Sequence, residues 1–250
     1  MKTIKLVGYI NEISDIERSE GTLKLRDFLT QFVEEFSKHS SRYIRSNHEA
    51  PFAMREKQLP SIIAPVLSKI TAGSYLMEVP VNREWSRIKK RRYKDSYGWT
   101  DYWCRFRGID LFIETKHDYH CYDGNIQKWT DNHWRGANEQ LNLIKNEAEE
   151  YSKSSGGSFL LAMHVVTIFE TIGVKKKYNA KSIGKIDELI DIQKDYMEKL
   201  NPKPNWSALW ILHRELAENS IYDYPLGNYK RQEYYPGVLF FVKSSQIIKS

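Results

Sequence analysis

Residues 98–119, GWTDYWCRFRGIDLFIETKHDY, decide the fold. Apolar and polar residues alternate on both sides of Arg107-Gly108, and a glycine in a two-residue connection supplies the positive φ that a tight hairpin needs. Two strands therefore pair across that turn. Opposed residues in such a ladder sum to a constant, so Phe106 faces Ile109, Arg105 faces Asp110, Trp103 faces Phe112 and Asp101 faces Glu114. Lys116, two residues past Glu114, shares its face. Arg105 opposite Asp110 reads as a cross-strand ion pair.

Like charges directly opposed destabilise a sheet unless something cationic lies between them, and a metal ion meets that need at Asp101 and Glu114. Mg²⁺ is a hard ion that keeps several waters and takes one or two carboxylates plus phosphate oxygens, so these two side chains suffice as ligands. Lys116 then stands where its ammonium can stabilise charge developing on phosphorus, or orient and help deprotonate the attacking water. Asp110 is the rival first carboxylate. It lies four residues from Glu114 on one strand, about 13 Å away at strand rise, too far to share an ion.

Asp101, followed thirteen residues on by Glu114-Thr115-Lys116 at the end of an apolar strand, resembles the PD-(D/E)XK nuclease superfamily. The resemblance covers roughly residues 50–170. It implies an α/β fold with a restriction-endonuclease-like core, a mixed central β-sheet flanked by helices. It further implies Mg²⁺ on Asp101, Glu114 and the backbone carbonyl of Thr115, with Lys116 catalytic and Mn²⁺ as a substitute ion. Thr100 precedes the aspartate where the motif's name has proline. The family also carries a glutamate on a helix before the core sheet, and Glu56 is offered for that role. Phe52, Glu56, Leu59 and Ile63 recur at helical spacing, which puts Glu56 on the inward stripe of a helix that Pro51 starts and Pro60 ends or kinks. The rival reading makes Glu56 a helix-edge residue that reaches water.

The chain has 38 Lys and Arg against 32 Asp and Glu, a net charge of +6 that favours a polyanionic partner. Arg83, Arg87, Lys89, Lys90, Arg91 and Arg92 cluster just before Asp101, interleaved with Trp85, Tyr93, Tyr97 and Trp99. Cations neutralise phosphates and aromatic rings stack on unpaired bases, so this loop is expected to clamp nucleic acid beside the metal. The ordinary fate of such a run is a solvated loop. Lys175-Lys176-Lys177 is read as merely exposed.

Two cysteines, Cys104 and Cys121, give neither a disulfide framework nor zinc spacing. No long apolar run and no secretory signal pattern is present, so no membrane association and a cytoplasmic location are expected. His117, His120 and Cys121 match no common zinc site and are read as loop residues, with His117 near phosphate. Gln140 is read as a helix-surface amide.

At 250 residues the expectation is a single domain over 1–250, with a nuclease core at 50–170 and a C-terminal elaboration of the same sheet over 171–250. Periodicity predicts a helix over 23–38, a polar connector over 39–50 and a strand over Tyr75–Val81. It then predicts a loop over Asp118–Asp131, a helix with the stripe Trp134, Ala137, Leu141, Ile144, Ala148 and Tyr151, and a doubly covered strand over Phe159–Phe169. The last third reads as a helix over Ile183–Leu200, strands at Trp206–His213 and Val238–Val242, and a tyrosine-rich loop between them. Trp206 and Trp210 share one strand face and belong to the core.

The expected function is Mg²⁺-dependent hydrolysis of DNA phosphodiesters, as an endonuclease in defence, repair or mobile-element processing. The alternatives are a nucleic-acid-binding protein of the same fold that has lost cleavage, and a protein of another α/β family whose charged hairpin is incidental. Double-strand cleavage with one active site per chain would call for a homodimer.

Overall fold

Arg107 and Gly108 take φ of 48° and 81°, positive at both central positions as a type I′ hairpin turn requires. That turn joins β4 (Ser96–Phe106) to β5 (Ile109–Cys121) in the register Phe106↔Ile109, Arg105↔Asp110, Trp103↔Phe112 and Tyr102↔Ile113. The computed structural model describes residues 1–54, 56–83, 96–145, 148–149, 157–173, 186–226 and 229–247.

The hairpin belongs to a nine-stranded mixed sheet in the order β1-β2-β7-β9-β6-β5-β4-β3, with β8 off this path and paired to β9. The remaining strands are β1 (Lys2–Ile4), β2 (Gly8–Ser14), β3 (Tyr75–Arg83), β6 (Ser158–Gly173), β7 (Trp206–Leu212), β8 (Tyr222–Leu226) and β9 (Tyr229–Ile247). Among the described residues they are accompanied by helices α1 (Glu20–Asn47), α2 (Pro60–Ile70), α3 (Lys128–Leu143), α4 (Ile186–Lys199) and α5 (Arg214–Asn219). β5 and β6 run parallel with α3 between them in sequence, while the other neighbours run antiparallel.

Alternation along the strands sorts their side chains into two apolar layers, one per sheet face. Leu111, Ile113, Phe159, Leu161, Trp206, Trp210 and Phe240 pack with Phe28, Phe32 and Phe36 of α1 and with Ile63 and Leu67 of α2. Phe112, Leu160, Leu209 and Phe241 pack on the other face with Trp134, Ala137 and Leu141 of α3 and with Leu189 and Tyr196 of α4. Residues 158–168 of β6 and 234–242 of β9 are buried on both faces, which is why the sequence around Phe159 reads as a continuous apolar run.

Several elements depart from the sequence-based expectations. α1 continues through the stretch expected to be a connector, because Ser37 and Ser41 satisfy their buried hydroxyls by donating to the carbonyls of Glu34 and Ser37. Pro51 and Glu56 each open a short 3-10 turn rather than one helix. Pro60 starts α2 at its first turn, where its missing N–H costs nothing. β5 runs on to Cys121, so His117, Asp118 and His120 are strand residues. The tyrosine-rich segment forms α5, β8 and the first half of a long β9. β1 and β2 were not anticipated. Gly8 at the start of β2 has φ of 133°, and a Cβ there would lie 1.9 Å from the Ile211 carbonyl oxygen.

Candidate active site

The paired part of the hairpin ends at Tyr102 and Ile113, and there the two strands part. Residues Ser96–Thr100 stay with β3, and residues Glu114–Cys121 stay with β6. Asp101 and Glu114 occupy the next position of the register, at the mouth of this fork. Asp101 is also skipped on its other side, where Met77 pairs with Tyr102 and Val79 with Thr100. Glu78, opposite that gap, has φ of 48°, the left-handed region that a non-glycine residue enters at a cost of about 1–2 kcal/mol. Pairing is thus interrupted on both flanks of Asp101.

Within the fork Asp101 Oδ2 accepts hydrogen bonds from the Thr115 backbone N–H and the Thr115 Oγ1 hydroxyl, both at 2.7 Å. The carboxylate takes the place that a carbonyl of β4 would hold in a continued ladder. Glu114 is buried, and its Oε1 lies 3.2 Å from Lys116 Nζ. Glu56, exposed on its 3-10 turn, brings Oε1 to 3.7 Å from the same Nζ. Burial works against the Lys116 ammonium, but Glu114, Asp101 and Glu56 outweigh it and hold its pKa above the usual lysine value.

Glu114 and Glu56 therefore flank Lys116, while Asp101 is tied to Thr115 at the adjacent strand position. Glu56 arrives from an exposed turn rather than from an inward helix stripe, since its side chain is 51% exposed. The expected clamp residues Arg87, Lys89, Lys90, Arg91 and Arg92 lie outside the described residues. Arg83 ends β3 opposite Ser96, with its backbone alone described. Arg105 forms the anticipated pair with Asp110, at 2.8 Å and 3.1 Å.

The donor set suits a hard cation: carboxylate oxygens and a strand carbonyl, with no thiolate. Among the described residues no group of three or more His, Cys, Asp or Glu side chains is already gathered as a metal centre.

Beyond Lys116 the strand carries residues that the loop reading missed. Asp118 is buried, and its Oδ2 lies 2.8 Å from His164 Nε2 on β6 and 3.0 Å from His133 Nδ1 on α3. Burial opposes the Asp118 carboxylate, yet His164 and His133 hold its pKa below the usual aspartate value. His120 lies 3.1 Å from the Tyr196 hydroxyl. His117 points to the other face, where it pairs with Thr167 at 3.1 Å and not with a phosphate site. Gln140 is half-buried on α3 with its Oε1 unpartnered, so it is not a surface amide. One signal was legible beforehand: the alternation of β5 continues as Lys116, Asp118, His120 against His117, Tyr119, Cys121. Polar residues on both parities disguised it as a loop.

No family model, curated protein or solved structure matches this chain. Among the described residues no helix is long and apolar enough to cross a membrane.

Proposed function

We propose that the chain is a divalent-metal-dependent hydrolase of nucleic-acid phosphodiesters, with DNA as substrate and the fork between β4 and β5 as its active site. The observation that carries this reading is the pairing of Lys116 with both Glu114 and Glu56, next to an Asp101 carboxylate held by Thr115. A simple surface ion pair would need one carboxylate. The restriction-endonuclease-like core belongs to the same proposal, supported by the Asp101 and Glu114-Thr115-Lys116 motif on a mixed sheet.

A cation held by Asp101, Glu114 and the Thr115 carbonyl, with Glu56 beside them, would polarise a phosphoryl oxygen as a Lewis acid. Thr115 fixes the Asp101 carboxylate through two hydrogen bonds, so that ligand is oriented in advance. Lys116, protonated at neutral pH, stands beside Glu114 where it can orient the attacking water and offset negative charge gathering on phosphorus. An endonuclease of defence, repair or mobile-element processing is the biological setting that this chemistry suits.

Supercoiled plasmid, linear duplex, single-stranded DNA and RNA, each incubated with Mg²⁺ or Mn²⁺, test the reading directly. Wild-type cleavage that disappears in Asp101→Ala, Glu114→Ala and Lys116→Ala, while substrate binding persists, is the expected result. Metal-independent binding without cleavage of any substrate would overturn it in favour of a binding protein.

A further inference from the structure

Glu114, Lys116 and Asp118 stand at alternate positions of β5 and so share the face covered by α3. Successive members are about 6.6 Å apart at strand rise. Above Asp118 sits His133, whose side chain is 49% exposed although its Nδ1 lies 3.0 Å from the buried carboxylate. On the other side of that carboxylate His164 is fully buried, and its Nε2–H donates to Asp118. His164 Nδ1 has no partner, so the N–H of this ring is spent on Asp118. Asp118 is thereby fixed in position and accepts from His133 Nδ1–H. The opposite ring nitrogen of His133, Nε2, then turns away from Asp118 on a half-exposed side chain.

A carboxylate that anchors one imidazole nitrogen and leaves the other facing solvent is an acid–base arrangement. In-line displacement at phosphorus puts the attacking and leaving oxygens on opposite sides. Lys116 and the Asp118–His133 pair stand at successive positions of the same strand face. We propose that His133 is the general acid of this site and delivers the Nε2 proton to the leaving oxygen, a role that rests on the phosphodiesterase reading.

As the oxygen of water bonds to phosphorus, the bond from phosphorus to the bridging oxygen breaks and its electron pair stays on that oxygen. That oxygen takes the proton from His133 Nε2, the water gives up a proton to solvent, and solvent later returns one to His133. Asp118 from β5 faces His133, and His164 from β6 and Tyr196 from α4 in turn act on Asp118. Asp131 and Arg135 on α3 itself pair with each other at 2.8 Å.

The test compares wild type, His133→Ala and His133→Gln on a cleavable oligonucleotide and on versions whose 3′- or 5′-bridging oxygen is sulfur. A thiolate leaves without being protonated. His133→Ala is expected to lower kcat on the oxygen substrate about 10²-fold or more, with KM little changed, and to approach the wild-type rate on one sulfur substrate. Equal losses on oxygen and sulfur, or no loss at all, would overturn the proposal while leaving the phosphodiesterase reading intact. Should His133→Ala fail to fold, His133→Gln, which keeps a donor for Asp118, carries the same comparison. If wild type cleaves no substrate with any metal, both readings fall together.

Discussion

Asp101 Oδ2 accepts two hydrogen bonds from Thr115, one from the backbone N–H and one from Oγ1, each at 2.7 Å. Residues fourteen apart in sequence are thus tied across the fork by a side chain in place of a ladder bond. Thr115→Val keeps the shape and the β propensity but removes the hydroxyl donor. Stability should fall by about 1 kcal/mol, the net worth of one such bond. Cleavage should fall about tenfold, because Asp101 is left with a single tether. Chemical denaturation and kcat/KM measured on the same preparations check both. Unchanged cleavage would mean that the backbone N–H alone orients the carboxylate.

Lys116 sits among Glu114, Asp101 and Glu56, and its positive charge balances part of theirs. In Lys116→Met the buried Glu114 loses its ion pair, a loss of about 1–3 kcal/mol for a buried polar group. The variant should therefore melt lower than wild type in the absence of divalent ions. Adding Mg²⁺ or Mn²⁺ should then raise its melting temperature more than that of wild type, since ligand bound only by the folded state stabilises it by mass action. Cleavage should still be lost. Differential scanning fluorimetry across a metal titration reads this, and equal shifts in both proteins would argue against a cation among these carboxylates.

How far the sequence carried the fold depends on whether the deciding signal was local. The β4–β5 register followed from period-2 alternation about a two-residue turn, and each pair from Phe106↔Ile109 to Tyr102↔Ile113 agrees with it. The α3 stripe of Trp134, Ala137 and Leu141 was legible for the same reason. What a neighbour supplies was not legible. Asp118 and His120 are affordable inside a sheet because α3, α4 and β6 bring His133, Tyr196 and His164 to them. Nothing near them in sequence announces those partners. Glu56 was assigned to a helix by spacing, but Pro60 starts the following helix and leaves Glu56 on an exposed turn.

Gly108 takes φ of 81° with nothing within 4 Å of where a Cβ would stand, so its constraint is backbone conformation and not space. Gly108→Ala should cost about 1 kcal/mol through left-handed strain alone. The turn lies at the far end of the hairpin, six register steps from Asp101, or about 20 Å at strand rise. Activity per folded molecule should therefore be unchanged. A loss of kcat in fully folded Gly108→Ala protein would show that the register transmits strain to the fork.

Burial pushes the pKa of His120 down to about 4, and burial beside His164 does the same to His117. Both rings are neutral in the folded protein at pH 6, whereas in the unfolded chain they protonate near pH 6.5. A depressed folded-state pKa gives stability that is full above the unfolded value and is lost as pH falls toward the folded one. The loss should therefore run between about pH 6.5 and 4, reaching about 2 kcal/mol per histidine at pH 5. Asp118, whose pKa is depressed by His164 and His133 against the cost of burial, adds its own loss only at lower pH, below the usual aspartate range. His120→Asn removes one titrating ring, at the cost of altering the bond to Tyr196. Its unfolding free energy should be lower than wild type at pH 7.5 but should decline less between pH 6.5 and 4.5. Urea denaturation at four or five pH values measures the two slopes. Parallel curves would mean that His120 is not protonated on acid unfolding, and would remove it from the origin of the acid sensitivity.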